Sequence, residues 1–219
     1  MAAPQKTRER IILASLELFN SQGERSVTTN HIAEFLGISP GNLYYHFRNK
    51  QAIIAELFGR YEADVDSFLR LPEGREPSIK DKNFYLESLL EAMWRYRFLH
   101  RDLEHLLGSD PVLSEGYRLF SQRCLLSAQA IYKGFCDAGI LIMTAQQVEA
   151  LTLNGWIILT SWVRFLCTSQ RTPGDLNEEM LRRGIFQVLA LEVGFVAPQA
   201  RAEVDALHQT YHVPLDAVV

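Results

Sequence analysis

Cysteine is scarce in this 219-residue chain, and the three present, Cys124, Cys136 and Cys167, are odd in number and show no close pairing. That excludes a disulfide framework and a C-x-x-C zinc or redox site, and it fits a reducing compartment. Long apolar runs are missing too. The longest stretch without a charge, Ala150 to Val163, is 14 residues, short of the ~20 that a spanning helix needs. The opening MAAPQKTRER lacks the apolar core of a signal peptide. Strand-like alternation, internal repeats and low-complexity tracts are absent. The expectation is a soluble cytoplasmic protein with no membrane attachment.

A strong charge excess of either sign is also lacking. The formal net charge is −4, with 47% hydrophobic and 22% charged residues, an ordinary globular composition. The distribution is uneven, however. Residues 1 to 60 carry seven Lys/Arg against five Asp/Glu, and the remainder 15 against 21. A basic end on an acidic body leaves room for local phosphate contact, although a +2 excess is equally what solvated surface charge produces.

What the chain has in quantity is apolar residues at helical spacing. Ile11, Ile12, Ala14, Leu16, Leu18 and Phe19 form one broad stripe that stops at Gly23. A short second segment is capped by Thr28 or Thr29, buries Ile32, Ala33, Phe35 and Leu36, and ends at Gly37, where a left-handed residue is cheap. Ser39-Pro40 starts a third helix of about two turns, since proline has no N–H to lose there. Asn49 caps a fourth, running through Ile53, Ile54, Leu57, Phe58, Tyr61, Val65 and Leu69. Leu71 to Pro77 has linker composition. Helical patterns then cover 79 to 99, 100 to 107, 112 to 138, 145 to 168 and 175 to 195, broken at Gly108-Ser-Asp-Pro111, Gly139 and Pro173-Gly174, and one short helix fits after Pro198. The pattern predicts an all-α fold.

Three short helices with the turn Gly37-Ile38-Ser39-Pro40 between the second and third have helix-turn-helix geometry. The third helix and its exit read Ser39-Pro40-Gly41-Asn42-Leu43-Tyr44-Tyr45-His46-Phe47, then Asn49-Lys50. From about Thr7 to Phe58, with Ile32-Ala33, Gly37, Leu43-Tyr44, His46-Phe47 and Lys50 in order and spacing, the chain resembles the TetR family of bacterial transcriptional regulators. Past Pro77 the likeness is mainly architectural, although Tyr96-Arg97-Phe98 through Leu106-Leu107 and Asp110-Pro111 is similar to a TetR-type regulatory domain. The resemblance implies a three-helix helix-turn-helix DNA-binding domain over residues 1–58, joined to a larger helical ligand-binding and dimerisation domain over 59–219.

In such a fold the third helix enters the major groove, where Gly41 allows close backbone approach and Asn42 offers paired donor and acceptor groups to a base edge. Asn42 is the first base-reading candidate, and Asn30 is a second by resemblance. Thr28 and Thr29 would hold phosphate through hydroxyls and helix-start amides, with Tyr44, Tyr45, His46 and Lys50 as backbone clamps and the capping Ser39 as a further DNA-binding residue. Leu43 and Phe47 belong to the core, and His31 is a capping or exposed residue. Tyrosines in a short helix can equally be packing residues, and Asn42 can equally be a solvated residue beside a water-mediated contact.

No other pattern carries chemistry. His100-Arg-Asp-Leu103 looks like a fragment of a kinase catalytic loop, but Leu107 stands where that motif needs Asn. His100 and His105 are five apart and cannot share a helix face for zinc; they read as surface or pocket-rim residues. The chain therefore has no catalytic signature and calls for no cofactor or metal. Val148, Leu151, Gly155, Ile158 and Trp162, with Leu181, Ile185 and Val188, are expected to build a four-helix homodimer interface, which would set two reading helices about 34–36 Å apart. The other reading of both helices is that they complete the monomer core. Aromatics in excess of what one seam needs fit either a filled core or, as the resemblance implies, a cavity for a small apolar or aromatic ligand, lined by Tyr85, Trp94, Tyr117, Phe120 and Asn154. The function expected is a homodimeric regulator, a repressor of operator DNA released by ligand. Its rivals are a helical small-molecule-binding protein or enzyme that has lost DNA binding, and a DNA-binding dimer without an inducer.

Overall fold

The computed structural model describes residues 7–169 and 176–217, so the expected break at Pro173-Gly174 lies outside the described residues. The helices are α1 (Thr7–Gln22), α2 (Thr29–Leu36), α3 (Pro40–His46), α4 (Lys50–Phe68), α5 (Ile79–Arg95), α6 (Arg97–Ser109), α7 (Pro111–Asp137), α8 (Ala145–Ser169), α9 (Glu178–Glu192) and α10 (Arg201–Tyr211). Among the described residues the extended pairing is confined to an isolated antiparallel bridge, Leu141 to Val196, which ties the α7–α8 turn to the end of α9.

Local chemistry accounts for several of these boundaries. The side chains of Thr28, Ser39, Asn49, Ser78 and Asp110 each accept from a backbone N–H in the first turn that follows, satisfying donors that would otherwise be orphaned. Gly37 closes α2 at φ 65°, a left-handed conformation that costs glycine nothing.

One boundary departs from the periodicity. The stretch expected as a single helix over 79 to 99 breaks at Tyr96, and Asn20 of α1 holds the break open. Its Nδ2 donates to the Arg95 carbonyl at 2.8 Å, and its Oδ1 accepts from Phe98 N at 3.1 Å. The cap of α6 thus comes from 78 residues upstream, which no local pattern records. Phe35 is a second correction. It was expected inside but is 53% exposed: α2 is only two turns long, Ile32 and Ala33 face α1, and Phe35 sits about 200° round the helix from Ala33.

A single hydrophobic cluster runs from Ile11, Phe19, Ile32, Leu43 and Phe47 through Ile53, Leu57 and Tyr61 to Tyr96, Phe98 and Phe120. The amino-terminal helices therefore share their core with the body. The expected division between residues 58 and 59 falls inside α4, which continues unbroken. A second cluster lies between α5, α8, α9 and α10. Of the expected dimer residues, Leu181 and Ile185 are fully buried in it; Val148, Leu151, Gly155 and Val188 are buried too, while Ile158 and Trp162 are half-buried. The six buried positions are corrected as interface residues, because α8 and α9 pack on each other inside the protomer; Ile158 and Trp162 keep part of their surface. A Cβ at Gly184 would stand 2.5 Å from the Trp162 ring, and Trp162 Nε1 donates to the Met180 carbonyl at 2.9 Å. By length and composition α8 is apolar enough to cross a membrane, because a spanning window tolerates the charges that bound the 14-residue run; in the fold it packs on α6, α7 and α9.

Candidate nucleic-acid interface and body cavity

Helix α3 is held from behind and open in front. Leu43 and Phe47 are buried, Ser39 Oγ accepts from Asn42 N at 3.2 Å, and Pro40 occupies the first turn. What remains outward is Gly41, Asn42, Tyr44 and Tyr45, the last 86% exposed, with its ring edge-on to half-buried His46 at 5.1 Å. A tyrosine with so little packing is free to meet a ligand. The Tyr44 hydroxyl lies 2.9 Å from Thr29 Oγ1, which fixes α3 against the first turn of α2. Thr28 and His31 form a reciprocal cap there, and Asn30 beside them is exposed. The named group on α2 and α3 therefore shares one open side, with exposed Arg25 and Arg48 near it in sequence.

Lys50 differs from the expectation of a free clamp. Its Nζ donates to the Glu24 and Val27 carbonyls, each at 3.0 Å, and pairs with Glu24 Oε1 at 2.6 Å. An ammonium has three donors, and all three are directed into the chain. Lys50 brackets the start of α4 to the turn before α2, so it positions the reading helices.

Behind this unit, α6 meets the end of α1. Arg101 donates to the Phe19 and Asn20 carbonyls, Asp102 Oδ2 accepts from Glu24 N at 3.2 Å, and His105 Nε2 lies 3.7 Å from Glu24 Oε2. Glu24 is buried and in turn holds Lys50. A continuous polar chain thus runs from α6 through Glu24 to the foot of α4.

One residue before Arg101, His100 faces the interior. It is buried, stands edge-on to Tyr61 at 5.5 Å, and lines a cavity of about 150 Å³ walled by α4 to α9. Burial holds the imidazole at about 4, against a weaker pull from the Thr160 backbone. The expected cavity set divides. Tyr85 and Phe120 line the space; Trp94 instead packs in the second core beneath Arg97, Tyr117 lies behind Phe58 and Phe120 in a separate small void, and Asn154 points outward. On α8 the lining groups are Thr152, Gly155, Trp156, Leu159 and Thr160, the face opposite Asn154.

Lys82, at the cavity wall, and Glu192 form a buried ion pair, both carboxylate oxygens lying within 2.8 Å of Nζ, with His208 Nε2 3.6 Å from Glu192. Burial alone would raise the Glu192 carboxyl, yet the Lys82 charge and the His208 contact leave it below its ordinary value. Reading by motif placed His100 at a surface or pocket rim, whereas it is buried, and missed Lys82, Glu192 and His208. A signal for them existed: each occupies a stripe position, as Lys82 does with Leu86, Leu89 and Met93.

The comparisons with known proteins agree with this fold. A family model described as bacterial regulatory proteins, tetR family, matches residues 11–57, and one described as bacterial transcriptional repressor matches residues 60–204. The chain is 33% identical over 61 residues to the HTH-type transcriptional regulator AcrR of Shigella flexneri, covering 28% of each chain. It is 44% identical over 50 residues to the tetracycline repressor protein class C of Escherichia coli, covering 23% of each. The matches thus span under a third of these curated relatives. A solved TetR-family transcriptional regulator from Marinobacter aquaeolei VT8 is similar over almost the whole length: 48% identity, 95% of this chain, 100% of that one and a TM-score of 0.88.

Proposed function

Because the chain belongs to the TetR family of bacterial transcriptional regulators, we propose that it is a cytoplasmic homodimeric repressor that reads operator DNA with α3 and lets go when a small molecule fills the body cavity. The observation that carries this reading is the outward row Gly41, Asn42, Tyr44 and Tyr45 on a helix whose inner residues, Leu43 and Phe47, are locked in the core. Asn42 reads a base edge, with Asn30 as a second reader. The Thr28, Thr29 and Ser39 hydroxyls, the two tyrosines and His46 take phosphate oxygens. Neutral donors of this kind suit a domain with little net positive charge. A gel shift with DNA flanking the gene tests this; no retarded species at low salt would remove it.

Residues 1–58 carry DNA reading in this account, and 59–219 carry ligand binding and dimerisation. The partner face is the outer side of α8, where Leu153, Ile157 and Phe165 are 49%, 53% and 40% exposed and recur at four- and eight-residue intervals. A stripe so apolar on a helix that already buries its other side calls for a second copy across a two-fold axis.

Coupling runs through α6, which touches the cavity with His100 and the DNA-reading unit with Arg101, Asp102 and His105. A ligand that favours one setting of α6 changes the spacing of the two α3 helices, and it acts only through its differential affinity for the two dimer states. Ligand and operator then oppose each other by one shared factor, about 1–3 kcal/mol. Calorimetric ligand titration of free and operator-bound dimer measures that factor; equal affinities would refute the coupling.

A further inference from the structure

We propose that the body cavity selects a compact, uncharged ring compound bearing one hydroxyl, held by a hydrogen bond between that hydroxyl and Nε2 of His100. The proposal rests on the reading of the cavity as a ligand site and adds its chemistry. A void of about 150 Å³ matches cavities that hold a benzene-sized molecule. Tyr61, Phe120 and Trp156 wall it near His100, which suits a flat ring.

Four of the polar groups around the space are taken. Thr152 and Thr160 donate back to the Val148 and Trp156 carbonyls of their own helix, at 2.8 and 2.7 Å. The Tyr85 hydroxyl donates to the Arg70 carbonyl at 2.7 Å. Lys82 is neutralised by Glu192. Among the described residues on the wall, the Tyr61 and Tyr132 hydroxyls also make no side-chain hydrogen bond, but the most deeply enclosed unmet group is His100. It is 7% exposed, and its Nε2 is buried with no partner at hydrogen-bond geometry, the Thr160 backbone exerting only a weak pull on the ring. An unmade hydrogen bond on a buried atom is costly, and a ligand that supplies it recovers that cost.

The charge of the ligand follows from the same inventory. A carboxylate would enter a low-dielectric space whose one cation is already paired, and an ammonium would find no free carboxylate. The imidazole, held neutral by burial, has one donor and one acceptor nitrogen. A hydroxyl satisfies Nε2 in either tautomer, because it both donates and accepts.

The test uses the full-length dimer and four probes, phenol, toluene, benzoate and benzylamine, titrated calorimetrically. Phenol is expected to bind about tenfold or more tighter than toluene, with the two ions at least as weak as toluene. In His100→Phe the advantage of phenol over toluene should vanish while toluene still binds. In histidine-labelled wild-type protein the ¹⁵N resonance of His100 Nε2 should move with phenol and stay still with toluene, a readout that needs no variant. Equal affinity for phenol and toluene, a preference that survives in His100→Phe, or a static Nε2 signal at saturating phenol would each overturn the role of His100 and leave the cavity as an apolar site. If none of the four binds to protein that still retards operator DNA, the ligand-site reading falls with it.

Discussion

At the residue scale, Asn42 and Lys50 carry opposite expectations although they lie eight positions apart. Asn42 is exposed at the leading end of α3 and has no structural partner for its side-chain amide among the described bonds. Asn42→Ala should cost about 1–3 kcal/mol on cognate DNA and relax preference at one base pair, with unfolding unchanged. Lys50→Ala removes three internal contacts, so it should lower the melting temperature and weaken all sequences alike, with the salt slope of binding unaltered. A slope reduced by about one unit would return Lys50 to the phosphate backbone. His100 sets a pH dependence of stability. Its value in the fold, about 4, lies below the ordinary 6.5, so between those pH values the unfolded chain binds the extra proton. Stability is then whole above pH 6.5 and falls as pH drops toward 4, by about 3 kcal/mol. Denaturant titrations from pH 7 to 4 should show a shallower decline in His100→Phe than in the wild type.

At the scale of elements, legibility in the sequence tracks the range of the interaction that makes each boundary. The caps at Ser39 and Asn49 and the left-handed Gly37 act within four residues, and their positions were readable directly. The break at Tyr96 was not, since Asn20 makes it from another helix. Facing errors have the same origin. The apolar stripes of α8 and α9 were visible as stripes, but a stripe does not say whether a partner chain or a neighbouring helix covers it, and here the inner one, Leu151 with Leu181 and Ile185, covers itself. For the cavity, Tyr85 and Phe120 were legible as surplus aromatics, whereas Trp94 and Asn154 depend on helix rotation that periodicity does not fix. The α8–α9 seam offers a sharp test. Gly184→Ala places a methyl 2.5 Å from the Trp162 ring, and despite the better helix propensity of alanine it should destabilise by about 1–3 kcal/mol in urea titration. A neutral or stabilising result would mean the indole has another place to go.

At the scale of the whole molecule, the shared core from Ile11 to Phe120 and the Glu24 relay make the reading helices and the cavity one mechanical unit within each protomer. In the proposed dimer, the apolar outer face of α8 lies between protomers. Ile157→Arg should put a charge at the centre of that face and yield a folded monomer in sedimentation analysis, with the helical content of the parent. The most direct measurement of the central claim is selection of bound fragments from a random DNA pool by the purified chain, beside Ile157→Arg. The expected product is an inverted repeat with half-site centres one duplex turn apart, about 34–36 Å, recovered by the parent and lost or reduced to weak half-sites in the variant. Recovery of no repeat by the parent, or of the same repeat at equal affinity by a monomeric Ile157→Arg, would contradict it.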